Sequence, residues 1–145
     1  MERVAGIDSN ILVYALDPDL PEHDRAKTAI LESRGICLNP TVVHETYHTL
    51  VFRRKTKPVD TEAKIAELLD DDLVIFVNQT KTVTEVCLRL AVKHGLGGRD
   101  ALIIGSYLYG GMRLMLTHDR QILGLGSISL DRDVIDFRDP VGSSA

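Results

Sequence analysis

Alternating strand-like and helix-like segments predict an α/β fold for this chain: a Rossmann-like, three-layer α/β/α sandwich around a central parallel sheet. Three observations carry that reading. The runs Ile36-Cys37-Leu38 and Leu73-Val74-Ile75-Phe76-Val77 are apolar without alternation, the pattern of parallel strands covered on both faces. The stretches between such runs hold apolar residues at helical spacing, bounded by caps and breakers. With 145 residues, the chain is long enough for one domain with a proper core.

The elements follow in order. Residues 3–7 form a short strand ending at Asp8, and residues 10–16 a short helix stopped by Asp17-Pro18. Pro21 opens a helix to Ser33 with Ala26, Ala29 and Ile30 on one face, and Gly35 breaks it before the strand at 36–38. Asn39-Pro40-Thr41 starts a helix running to about Arg54, with proline early, where its missing N–H costs nothing. A further helix covers residues 60–69, capped by Asp60 or Thr61, and residues 73–77 form a strand. Helices at 80–94 and 98–109 end at Gly95 and at Gly110-Gly111. Leu114-Met115-Leu116 is a strand leading into Thr117-His118-Asp119, and Val134-Ile135 marks a last, edge strand. Residues 1–140 are expected to be a single domain and residues 141–145 a disordered tail.

Composition excludes several classes. Hydrophobic residues make up 44% and charged residues 26%, as in ordinary globular proteins. No apolar run approaches the roughly 20 residues of a membrane span, and the N-terminus enters a strand at once, so neither membrane insertion nor a signal peptide is expected. Cys37 and Cys87 lie in apolar stretches and read as buried free thiols, consistent with a cytoplasmic protein. A net charge of −4 argues against a broadly basic nucleic-acid binder. It leaves room for an enzyme that grips phosphate through bound metal and a few local cations. The Asp70-Asp71-Asp72 run reads as a solvated helix end or turn.

Four acids stand out. Asp8 and Asp119 follow strands, Asp100 lies in the first turn of a helix, and Glu45 in an early turn of another. In parallel α/β sheets, ligands bind beyond the carboxyl ends of the strands, an edge that all four acids could face, although spacing by itself does not bring them together. Gathered carboxylates repel one another unless a cation holds them, which points to a divalent metal. Each acid alone has an ordinary reading as a helix cap, a first-turn charge or a solvated side chain.

The local motifs resemble those of PIN-domain nucleases. Ile7-Asp8-Ser9-Asn10-Ile11-Leu12-Val13-Tyr14-Ala15 is similar to the opening motif, and Asn39-Pro40-Thr41-Val42-Val43-His44-Glu45 to the second. Gly98-Arg99-Asp100-Ala101-Leu102-Ile103-Ile104 resembles the third, and Leu116-Thr117-His118-Asp119 the fourth. The likeness covers about residues 3–137. It implies a metal-dependent ribonuclease similar to the VapC-type toxins of toxin–antitoxin pairs. Asp8, Glu45, Asp100 and Asp119 carry over as the metal-binding catalytic quartet, and Asn10 and Thr117 as polar support. A carboxylate and water ligand set suits Mg²⁺ or Mn²⁺. RNA substrate, a small antitoxin partner and a homodimer follow from the same likeness. An RNA-processing PIN nuclease without an antitoxin would carry the same catalytic signature.

His44-Glu45-Thr46-Tyr47-His48 also matches H-E-x-x-H, which on a helix could hold Zn²⁺ with Glu45 as base, so a zinc metalloprotease is the alternative. The Gly and His that a metzincin needs just afterwards are missing, although Glu62, Glu67 or Glu85 could serve as a third ligand. Arg99 reads as a neutraliser of the acids, an RNA contact or an ordinary surface residue. Arg53 and Arg54, in the basic stretch to Lys57, read as RNA contacts or as a solvated helix end. Asp8-Ser9-Asn10 lacks both the adjacent acids of a receiver domain and the Asp-x-Asp of a HAD-type phosphatase.

Overall fold

The computed structural model describes residues 3–142. In chain order it comprises β1 (Ala5–Ile7), α1 (Ser9–Leu16), α2 (His23–Glu32), β2 (Ile36–Leu38), α3 (Pro40–His48), α4 (Pro58–Leu69), β3 (Val74–Phe76), α5 (Lys81–His94), α6 (Gly98–Tyr109), β4 (Leu114–Leu116), α7 (Arg120–Leu123), β5 (Ser127–Leu130) and β6 (Asp133–Arg138). Met1 and Glu2, part of the stretch on which the expected absence of a signal peptide rests, lie outside the described residues.

The strands form one six-stranded sheet in the order β3-β2-β1-β4-β6-β5. All pairs are parallel except β5 with β6. Successive strands β1, β2 and β3 step to one side, and the chain then crosses back to lay β4 on the other side of β1. The gap between β1 and β4 is therefore the topological switch point, where α/β sheets place their ligands.

Local chemistry sets the boundaries near that point. Asn39 Oδ1 accepts from the Val42 N–H at 3.0 Å and Pro40 occupies the first turn, so α3 starts immediately after β2. A π-helical segment, Thr49–Arg53, continues α3. Thr80 caps α5 through the Val83 N–H at 3.3 Å, and Gly95 ends it at φ +66°. The core is built from side chains with almost no exposure, including Ile7, Ile11, Leu38, Ile103, Tyr107 and Met115. Tyr107 packs flat against the backbone of Gly6, where a Cβ would lie 2.5 Å from the ring, and its hydroxyl donates to the Ile7 carbonyl at 2.5 Å. Glycine in β1 is thus required by the close approach of α6.

Four expectations need correction. Residues 73–77 were expected to be covered on both faces. Instead β3 is an edge strand, with Leu73 62%, Ile75 43% and Phe76 40% exposed. The expected edge strand at 134–135 is longer, Asp133–Arg138, and internal. It is covered by β5, a short antiparallel strand whose Ser-Ile-Ser-Leu sequence has too little apolar character to announce it. Helix α4 starts at Pro58, after a Lys57 that offers no side-chain cap, instead of at Asp60. At the C-terminus, Val141 is only 3% exposed, and Gly142 accepts a hydrogen bond from Arg25 at 3.2 Å, so packing continues past residue 140. Ser143 to Ala145 lie outside the described residues. Both cysteines are free and buried, as expected.

Candidate functional site

Asp8 leaves the end of β1 at the switch point and is fully buried. Its Oδ1 accepts from the Ser9 N–H at 2.8 Å, capping α1, and its Oδ2 accepts from the Thr117 hydroxyl at 2.6 Å. Thr117 follows β4 and is also fully buried. Burial raises the Asp8 pKa above the ordinary carboxylate value, although the Thr117 hydroxyl, the Arg99 charge and the Ser9 N–H each pull it down.

Asn39 and Pro40 aim α3 so that Glu45 comes over the same edge, and α6 brings Arg99 and Asp100 in its first turn. Arg99 ties these groups together. Its Nε donates to Glu45 Oε2, its Nη2 to Glu45 Oε1 at 2.7 Å and to the Ser9 hydroxyl at 3.2 Å, and its Nη1 to Asp100 Oδ1 at 2.6 Å. Nη2 also lies 3.5 Å from Asp8 Oδ1. The Glu45 contact above all holds the guanidinium firmly protonated. Three acids that are 37 and 55 positions apart in sequence, Asp8, Glu45 and Asp100, therefore meet around one cation.

Asp119 follows β4 as expected, yet it stands outside that ion-pair cluster. Its Oδ1 accepts from the Gln121 and Ile122 N–H groups, capping α7, while its own N–H donates to the Thr117 hydroxyl at 3.1 Å. Asn10 Oδ1 accepts from the His118 N–H at 3.3 Å, holding the loop after β4. Thr117 and Asn10 thus both brace the segment that carries Asp119.

Several polar groups at this edge escaped the sequence reading. Ser9 touches Arg99. Gln79, following β3, links the Thr41 and Ser106 hydroxyls at 2.9 and 3.2 Å. Asn39 Nδ2 is buried without a partner among the described residues. His118 Nδ1 pairs with Asp139 at 2.8 Å and meets Tyr14 edge-on. Gly6 inside β1 signals the close approach of Tyr107 and none of these polar groups.

The remaining candidates are placed elsewhere. Arg54 is held by Asp17 at 2.8 Å, and Arg53 is exposed at the end of the π-helical segment. His48 stacks on Phe52 with ring centroids 5.0 Å apart, and His44 lines an apolar groove between α3 and α4 with Tyr47, Val59 and Glu62. Glu45, the base that the H-E-x-x-H reading requires, is engaged by Arg99. Among the described residues no group of three or more His, Cys, Asp and Glu side chains is placed to hold a metal ion, which leaves the zinc reading without a site. The same holds for the acidic quartet as it stands, in which Arg99 pairs with Asp8, Glu45 and Asp100. The oxygen-only donors Asp8, Glu45 and Asp100 suit a hard divalent cation in their chemistry.

Fold and site together define an α/β domain with an acidic cluster at its switch point. The PIN-domain family model matches residues 6–126, and the chain belongs to that family. Solved structures share the fold at low identity. VapC20 of Mycobacterium tuberculosis, described as a sarcin-ricin loop cleaving toxin, is 17% identical over 84% of this chain and 95% of its own, with a TM-score of 0.70. FitAB bound to a DNA fragment is 14% identical over 98% and 99%, with a TM-score of 0.67. VapBC2 of Rickettsia felis, bound to a fragment of its promoter, is 16% identical over 84% and 91%, with a TM-score of 0.58. Comparison with curated protein sequences finds no match. Among the described residues no helix is long and apolar enough to cross a membrane.

Proposed function

We propose that this protein is a divalent-metal-dependent endoribonuclease, the toxin of a toxin–antitoxin pair, acting in the cytoplasm as a homodimer. The observation that carries the catalytic part is the meeting of Asp8, Glu45 and Asp100 at the switch point, with Asp8 fully buried. A carboxylate placed there is costly unless positive charge faces it, so the cluster is built for a cation. Family membership and the toxin–antitoxin origin of the structural neighbours support the biological role.

Asp8, Glu45 and Asp100 would hold the ion, with Asp119, whose Oδ1 caps α7, completing the quartet. Mg²⁺ or Mn²⁺ bound there supplies a water of lowered pKa and stabilises charge on the scissile phosphate. The chain's own residues do the positioning. Thr117 and the Ser9 N–H fix both oxygens of Asp8. Asn10 fixes the loop that carries Asp119. Arg99, 41% exposed and paired with Glu45 and Asp100, would turn its fork from the acids to a substrate phosphate, with exposed Arg53 a further contact. Arg54 adds charge to the same stretch while paired with Asp17.

The test is cleavage of a fluorescent single-stranded RNA with Mn²⁺, Mg²⁺ or Zn²⁺ by wild type, Asp100→Asn and His48→Ala. Cleavage with Mn²⁺ or Mg²⁺ that is lost in Asp100→Asn and kept in His48→Ala is the expected result. Silence on RNA together with Zn²⁺ binding that depends on His48 would restore the protease reading.

A further inference from the structure

Arg99 and a divalent ion compete for the same carboxylates. We infer that the Arg99 guanidinium is a tethered counter-cation, and that metal loading requires it to leave Asp8, Glu45 and Asp100. The inference rests on the metal-dependent reading above and adds a control step to it.

The geometry is specific. All three of its donor nitrogens are spent on the acids and on Ser9, and both oxygens of Glu45 are taken. A guanidinium so placed screens the carboxylates from one another. It also occupies lone pairs that an ion would need. Either cation satisfies the cluster, and the two do not fit together on the same oxygens. The Arg99 side chain is 41% exposed, so the guanidinium borders solvent. Asp8 cannot retreat in the same way. It is buried and held by Thr117 and Ser9, so this carboxylate stays in place while the arginine moves. Displacement would also free the guanidinium's donors for an arriving RNA phosphate.

The equilibrium consequence is that apparent metal affinity is reduced by the fraction of molecules with Arg99 undocked. Binding of Mn²⁺ to wild type and Arg99→Ala is measured by calorimetry, with Arg99→Gln as a second variant in case the alanine protein is unstable. In wild type, the Arg99 Nε–H signal is followed by ¹⁵N NMR during a Mg²⁺ titration. The expected result is Mn²⁺ binding about tenfold or more tighter in the variants, and an Nε–H signal that moves from its hydrogen-bonded position toward that of solvated arginine as Mg²⁺ saturates. Metal binding with that signal unchanged, or equal affinity in wild type and variants, would overturn the competition and leave the metal-dependent reading standing. No binding of Mn²⁺ or Mg²⁺ by any of these proteins would overturn both.

Discussion

Thr117 donates its hydroxyl hydrogen to Asp8 Oδ2 at 2.6 Å, a bond between residues 109 positions apart. It spans the switch point between β1 and β4, and both residues are fully buried. It is one of the few polar contacts available to a carboxylate with no access to water. Thr117→Val keeps the shape and removes the donor. The expected loss is about 1–3 kcal/mol, the cost of an unsatisfied buried group. Denaturant unfolding in chelator at pH 8 measures it, and an unchanged midpoint would show that Asp8 does not depend on Thr117.

Asp8 also sets a pH dependence. Its folded pKa is raised above the ordinary carboxylate value, by burial first. The folded state therefore binds more protons than the unfolded chain above that value, and stability falls as pH rises through the folded pKa. In chelator, the stability of wild type relative to Asp8→Asn should fall upward from about pH 4 until Asp8 has fully ionised. Parallel slopes in the two proteins would mean that Asp8 titrates as if exposed.

Asp100 and Glu45 are only partly buried, with side chains 25% and 30% exposed. Asp100→Asn and Glu45→Gln should therefore fold normally. Cleavage should drop by at least about 100-fold, since losing a ligand exceeds the 10- to 100-fold cost of losing a group behind one. Circular dichroism with the RNA assay separates lost fold from lost chemistry.

Asp119 has two separable jobs. Asp119→Asn keeps a capping oxygen, so unfolding should barely change, whereas Asp119→Ala should cost about 1 kcal/mol. RNA cleavage should fall in both variants. Full activity in Asp119→Asn would reduce its role to that of a cap.

Gly6 tests how α6 is seated. In Gly6→Ala the new methyl group meets the Tyr107 ring at 2.5 Å. The ring must shift, breaking its bond to Ile7 just before Asp8. Destabilisation of about 1–3 kcal/mol is expected, as for overpacking. A smaller ring-side residue in Gly6→Ala/Tyr107→Leu should recover less than the whole loss, because the hydrogen bond stays missing.

Much of this architecture is legible in local sequence. Helix α6 runs over Gly98–Tyr109 as its flanking glycines indicate, and β2 occupies Ile36–Leu38 as its apolar run indicates. Breakers, caps and periodicity act within a turn or two of the chain, so neighbours suffice to read them. The same logic put acids at strand ends and helix starts and so marked one edge of the sheet.

Pairing partners lie beyond that range. The apolar run around Val74–Phe76 reads as a covered strand, but β3 has β2 on one side only and stands at the sheet edge, which local sequence does not reveal. β5 pairs with β6 through backbone groups that every sequence possesses, so its polar residues hide it. The meeting of Arg99 with Glu45, 54 positions away, and with Asp8 is a choice among many charges that only the folded chain can make. What the sequence by itself determined is the order of strands and helices other than α7 and β5, and the strand ends and helix starts that carry the acids, because both follow from short-range geometry. What only the tertiary structure decided is which acids share a cation and which one turns aside to cap a helix. Those outcomes depend on distances between sequence-remote side chains and on how far each is removed from water.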